Sequence, residues 1–123
     1  MKREADFSIR FRHWLRANPQ ASAPFEIKQT TTSSISFSVL KNSQINYLRA
    51  AASDKGILIR CPGGTGEPDY CYYRNAPSFV VIRYPNAFCI IGIREFLAEK
   101  QRSRYDYLSM SRAFDIAQTV VDL

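Results

Sequence analysis

Histidine is almost missing from this chain. His13 is the only one among 123 residues, so a histidine-based zinc site or a Ser/His/Asp triad has very little to build on, and an exposed or structural imidazole is expected. Cysteine is sparse too. Cys61, Cys71 and Cys89 are odd in number, form no CxxC and sit in strand-like apolar contexts, which reads as reduced core residues rather than metal ligands. Long apolar runs are also absent: the longest, Phe79 to Ile82 and Phe88 to Ile91, fall far short of the roughly 20 residues that span a bilayer and suit short buried strands. Met1 to Phe11 is charged and holds no signal-peptide core. A cytoplasmic protein with no membrane partner is the expectation.

The length suits one domain, residues 1–123, large enough for a real core and too small for two. Hydrophobic residues at 46% and charged residues at 23% exclude intrinsic disorder and fit no repeat array. Seventeen Lys and Arg against eleven Asp and Glu leave a net charge of +6. That excess permits a polyanionic partner such as nucleic acid, or serves solubility alone.

Phe7, Phe11, Trp14 and Leu15 recur at helical spacing while Arg10, Arg12 and Arg16 fall largely off that stripe, so residues 4 to 17 read as an amphipathic helix stopped by Asn18-Pro19. Phe25 to Gln29 alternates with strand period, and Ile35, Phe37 and Val39 alternate again as a short extended continuation. Asn42 or Ser43 is placed to cap a helix that carries Ile45, Leu48, Ala51 and Ala52 inward and ends near Gly56. Strands follow at Ile57 to Ile59, Asp69 to Arg74, Phe79 to Arg83 and Phe88 to Ile93, the last ones partly an antiparallel meander. Helical pattern returns from Arg94 to Gln101 and from Ser109 or Ser111 through Val121. The order predicts an α/β or α+β sandwich around one mixed sheet flanked by helices.

Glu26 and Lys28 carry the chemical reading. Two apart on a strand, they share one face about 7 Å apart, while Phe25 and Ile27 point the other way into a core. A carboxylate and an ammonium on one rigid face suit metal-assisted phosphodiester hydrolysis, the first holding a divalent ion and the second orienting water or stabilising charge on the phosphate. The plain alternative is an exposed strand face, on which E-x-K is common. Glu4 extends the inward stripe of the first helix, where it needs a cation or a metal, or else simply favours the helix dipole. Gln44, in the first turn of the second helix, is placed to hydrogen-bond toward the Glu26 strand or to sit on the surface. Asp69 follows Pro68 at a rigid strand start, with Glu67 a looser second carboxylate and a turn-forming Pro-Asp as the alternative. Gly63-Gly64-Thr65-Gly66 lacks the Lys-Ser or Lys-Thr and the helix of a phosphate loop.

Taken in order, Glu4, Phe25-Glu26-Ile27-Lys28, Gln44 and the Pro68-Asp69 strand resemble the PD-(D/E)xK nuclease superfamily, and more closely its short phage-encoded Holliday junction resolvase-like members. The resemblance runs from Glu4 through about Leu97. It implies a restriction-endonuclease-like α/β domain, Glu26 as a ligand of Mg2+ (or Mn2+), and Lys28 assisting hydrolysis. One departure matters. The family places its metal-binding aspartate on a hairpin before the E-x-K strand, whereas only Asp6 precedes Glu26 here, on a helix. Asp69 is the preferred replacement ligand, with loss of ligand and activity as the alternative.

The leading expectation is therefore a magnesium-dependent DNA endonuclease with branched DNA as a candidate substrate, using Arg10, Arg12, Arg16, Lys41 and Arg49 on phosphates. Symmetric junction cleavage takes two active sites, which leads to the expectation of a homodimer. A module of the same fold that binds DNA or another partner without catalysis is the alternative. A zinc-stabilised module would need the three cysteines to converge with His13, against their strand settings.

Overall fold

The structure, a computed structural model, describes Phe7, Arg10, Phe11 and residues 23–62 and 68–123, with 59–62 and 68–71 described in backbone only. Expectations for Glu4, Asp6, Arg12, His13, Trp14, Leu15, Arg16, Gly63 to Gly66 and Glu67, and for the side chains of Cys61, Asp69 and Cys71, lie outside the described residues.

In chain order the elements are β1 (Phe25–Gln29), β2 (Ser34–Ser36), a 3-10 turn (Phe37–Val39), α1 (Asn42–Ala52), β3 (Ile57–Pro62), β4 (Pro68–Tyr73), β5 (Phe79–Tyr84), β6 (Ala87–Gly92), α2 (Ile93–Arg102), β7 (Tyr107–Ser109), α3 (Met110–Ile116) and β8 (Thr119–Asp122). The main sheet has four strands in the order β1-β5-β6-β8. β1 runs parallel to β5, and β6 is antiparallel to both β5 and β8. Parallel strands cannot be joined by a tight turn. The connection from β1 to β5 accordingly takes in α1 and the β3–β4 hairpin, which forms a separate two-stranded sheet, as do β2 and β7. The fold is mixed α/β with a mixed sheet flanked by helices, as the sequence pattern predicts. None of its helices among the described residues is long and apolar enough to cross a membrane.

Strands β5 and β6 are apolar at nearly every position because both sheet faces are covered. Val80, Ile82, Tyr84, Cys89 and Ile91 meet Ile45 and Leu48 of α1, Ile93 and Phe96 of α2 and Ala113 of α3. Val81, Phe88 and Ile90 meet Phe7 and Phe11 on the opposite face. Phe11 packs edge-on against Phe25 at 5.0 Å and Phe88 at 5.6 Å. Phe7 and Phe11 are thus buried and Arg10 exposed, as the helical stripe requires. Cys89 is a buried free thiol whose pKa burial pushes up to about 12. Arg83 is 8% exposed, with its guanidinium 5.7 Å from the centre of the Phe7 ring.

Four local expectations are corrected. Phe37–Val39 is a 3-10 turn rather than extended, because the Ser36 hydroxyl accepts from the Ser38 N–H at 3.2 Å and turns the chain. The cap of α1 is Lys41, one residue before Asn42, and Gln44 Oε1 accepts the Lys41 N–H at 3.0 Å. That helix closes at Ser53, whereas Gly56, with φ +73°, directly precedes β3 at a point where a Cβ would lie 2.5 Å from the Tyr73 carbonyl oxygen. The last helix ends at Ile116: β-branched Val120 and Val121 pair with Cys89 and Phe88 instead, and Gln118 N–H donates to the Ile90 carbonyl at 2.8 Å.

The inner face of α2 ends on a charge. Glu99, 5% exposed, accepts from Arg102 Nη2 at 2.6 Å and from Arg112 of α3 through Nη2 at 2.8 Å and Nε at 3.2 Å. Hydrogen bonds from Arg112, joined by Arg102, outweigh burial and lower the Glu99 pKa from 4.5 to about 2. A carboxyl depressed in the folded state contributes stability above its unfolded pKa and loses it as pH falls toward the folded value. Glu99→Gln should therefore cost about 2 kcal/mol at neutral pH through the lost charge-assisted bonds, and acid unfolding between pH 4.5 and about 2 should become shallower than in the parent. Urea titrations at stepped pH measure both; an unchanged acid slope would refute the role.

Candidate functional site

β1 sets Glu26 beside Val80 and Lys28 beside Ile82. Register neighbours project from the same face, so both charged residues lie on the face covered by α1. Phe25 and Ile27 lie on the other, against the cluster containing Phe11. This matches the division read from the strand period.

Helix α1 holds the Glu26 carboxylate. Tyr47 Oη donates to Oε1 at 2.5 Å, and Gln44 Nε2 donates to Oε2 at 3.3 Å. Gln44 and Tyr47 are three residues apart and so share one side of the helix. Because Gln44 also accepts from the Lys41 N–H, its amide is oriented from both ends. Tyr47 Oη lies 3.2 Å from the Phe25 carbonyl as well, but one phenolic proton serves the shorter, charged acceptor. Burial first, then the bond to Glu26 and its charge, push the Tyr47 pKa far above that of a free phenol. Tyr47 therefore stays a protonated donor throughout the range in which proteins fold.

Gln44 is brought onto Glu26, and Lys28 shares its face; the half-buried Lys28 makes no ion pair among the described residues. Lys41 is exposed beside Gln44 at the start of α1. Arg49 is exposed on another side of the helix, where it lines an open cleft of about 620 Å³ with Ser53, Arg94, Leu97 and Gln101. Arg10 is exposed. Asp69 sits in β4 with its backbone opposite Cys61, one residue after Pro68 at the strand start and outside the four-stranded sheet. Sequence reasoning assigned no role to Tyr47, although its place one helical turn after Gln44 was a usable signal.

Magnesium takes oxygen ligands and uses one or two carboxylates together with waters and phosphates. Glu26 fits one such position, since each of its oxygens accepts one neutral donor and retains a lone pair. Among the described residues, no three His, Cys, Asp or Glu side chains gather into a ready cation cage.

No family model, curated protein or solved structure matches this chain.

Tyr47→Phe should destabilise the fold by about 1–3 kcal/mol, because it strips a half-buried carboxylate of its shortest hydrogen bond. Equilibrium denaturation measures the cost. A change within about 0.5 kcal/mol would place the tyrosine among ordinary surface substitutions.

Proposed function

We propose that the Glu26–Lys28 face of β1 is the working surface of a magnesium-dependent DNA endonuclease of the PD-(D/E)xK type, with branched DNA among its substrates. The observation that carries the reading is the way α1 holds Glu26: by a phenol and an amide, neither of which cancels its charge. Glu99 is the internal contrast, with both oxygens taken by arginines. A carboxylate oriented by neutral donors has no counter-charge on either oxygen, which leaves room for a cation.

In this reading Glu26 holds the ion and Asp69 supplies the second carboxylate. Bound magnesium supplies Lewis-acid polarisation of the phosphate and a more acidic water. The chain's own residues do the rest. Gln44 and Tyr47 fix the angle of Glu26, Lys28 stabilises charge developing on the scissile phosphate, and Lys41, Arg49 and Arg10 contribute phosphate contacts that carry affinity but little sequence information. Arg12 and Arg16 add to that set, Glu4 lends a further carboxylate, and a homodimer supplies the second site that symmetric junction cleavage requires. Among the described residues β1 is an end strand of the main sheet, which leaves its Glu26–Lys28 segment at the sheet edge.

A second reading, a DNA- or partner-binding module without catalysis, is favoured by the same contacts seen from the other side: Glu26 already has a protein donor on each oxygen, as a structural carboxylate does.

Cleavage of linear, nicked and four-way-junction DNA with magnesium or manganese separates the two. Glu26→Gln and Asp69→Asn should abolish cleavage and metal binding by calorimetry while DNA affinity holds or rises, since negative charge near the phosphates is removed. Lys28→Met should retain the metal and lose about 100-fold or more in turnover. Affinity should fall steeply with salt. A parent protein that binds DNA yet cuts none of these forms belongs to the second reading, and an Asp69→Asn variant that cuts normally removes Asp69 from the site.

A further inference from the structure

Two tyrosines remain unused by either core. Tyr105 is 61% exposed and Tyr107 45% exposed, and their rings stack on one another with centroids 5.1 Å apart at an interplanar angle of 25°. Other described tyrosines have hydroxyl partners: Tyr84 is buried and donates to the Leu108 carbonyl at 3.0 Å, Tyr47 holds Glu26, and the exposed Tyr72 donates to the Lys55 carbonyl. Neither Tyr105 nor Tyr107 has a hydroxyl partner among the described residues, and neither belongs to either hydrophobic cluster.

The backbone beneath the pair is tied down. Tyr105 N–H donates to Ser103 Oγ at 3.1 Å, the Asp106 carbonyl accepts from the Phe37 N–H at 2.9 Å, and Tyr107 pairs with Ser36 in the β2–β7 ladder. The rings are consequently presented from a fixed base rather than from a loose tip. Arg104 is exposed and directly precedes Tyr105 in the chain, Asp106 is the one acid between the two tyrosines, and Arg102 is already engaged with Glu99.

Exposed, stacked aromatic rings with Arg104 next to them in the chain match one ligand chemistry closely. Bases stack on the rings while the phosphates between them meet Arg and Lys. In a duplex the bases are stacked on each other and hidden, so the ligand must offer unpaired ones. We infer that Tyr105 and Tyr107, with Arg104 beside them, form a stacking platform for unpaired DNA bases, such as those at a strand end or an opened junction. This deepens the DNA reading above and rests on it, but it requires no hydrolysis.

The test is fluorescence anisotropy of a labelled oligothymidylate and of a blunt hairpin duplex, at fixed salt and without divalent ions. The parent should bind both. Tyr105→Ala combined with Tyr107→Ala should weaken oligothymidylate binding about ten-fold or more while leaving the duplex unchanged, and the corresponding double Phe variant, which keeps the ring faces, should bind like the parent. Equal oligothymidylate affinity for parent and double Ala variant would overturn the platform, as would an equal loss for duplex and single strand. Sedimentation of the double Ala variant adds a third check: loss of self-association with DNA binding intact would assign the pair to contact between copies of the chain instead. Because no metal is present, a protein that never cuts DNA can still pass, and one that cuts but ignores the tyrosine changes fails here alone.

Discussion

Parallel pairing of β1 with β5 is the constraint from which the rest of the molecule follows. Two strands running the same way need a long return path, and here that path is the segment holding α1. The helix then has to cover the sheet face it crosses, which it does with Ile45 and Leu48 against Val80 and Ile82. One side of the same helix carries Gln44 and Tyr47, which are thereby delivered to Glu26 at the end of the sheet. The candidate site is a by-product of a crossover, not an added loop.

Two carboxylates with a hydrogen bond on each oxygen, Glu99 and Glu26, illustrate different physical solutions. Glu99 lies in the interior at the junction of α2 and α3 and is neutralised by two arginines, a geometry that ties helices together. Glu26 is less deeply placed and is held by a phenol and an amide whose own protons are committed to it. A carboxylate of the first kind has finished its chemistry on folding. One of the second kind is oriented by neutral donors and keeps a lone pair on each oxygen, which is what a ligand to a hard cation has to offer.

Much of the architecture was legible in the sequence because it rests on periodicity. The alternation at Phe25 to Gln29, the continuous apolar runs of β5 and β6, and the Phe7–Phe11 stripe each follow from which faces are buried, and Gln44 reaching Glu26 follows from its position in the first turn of α1. The failures share a different cause. Val120 and Val121 fit a helical pattern as well as a strand, and only the open edge of β6 decides for the strand. β7 is a three-residue piece set by pairing with Ser34–Ser36, with too few positions to show a period. Sequence pattern gives Tyr47 no separate role, because a tyrosine between Ile45 and Leu48 does not by itself show that its hydroxyl meets a carboxylate 21 residues away.

The pairing of Phe25 with Phe79 also governs when the Glu26 arrangement can exist. The β5–β6 hairpin closes through the two residues Pro85 and Asn86 and is local in the chain, whereas β1 has to wait for a partner that lies beyond α1 and the β3–β4 hairpin. Contacts that close such long loops form late, after the local ones have lowered the entropic cost of meeting. During synthesis, a nascent chain that has emerged through α1 already contains Glu26, Lys28, Gln44 and Tyr47 but has no strand on which to align them. The register that sets Glu26 beside Val80 and Lys28 beside Ile82 needs β5, so a chain that stops short of β5 carries those residues without the strand they align on.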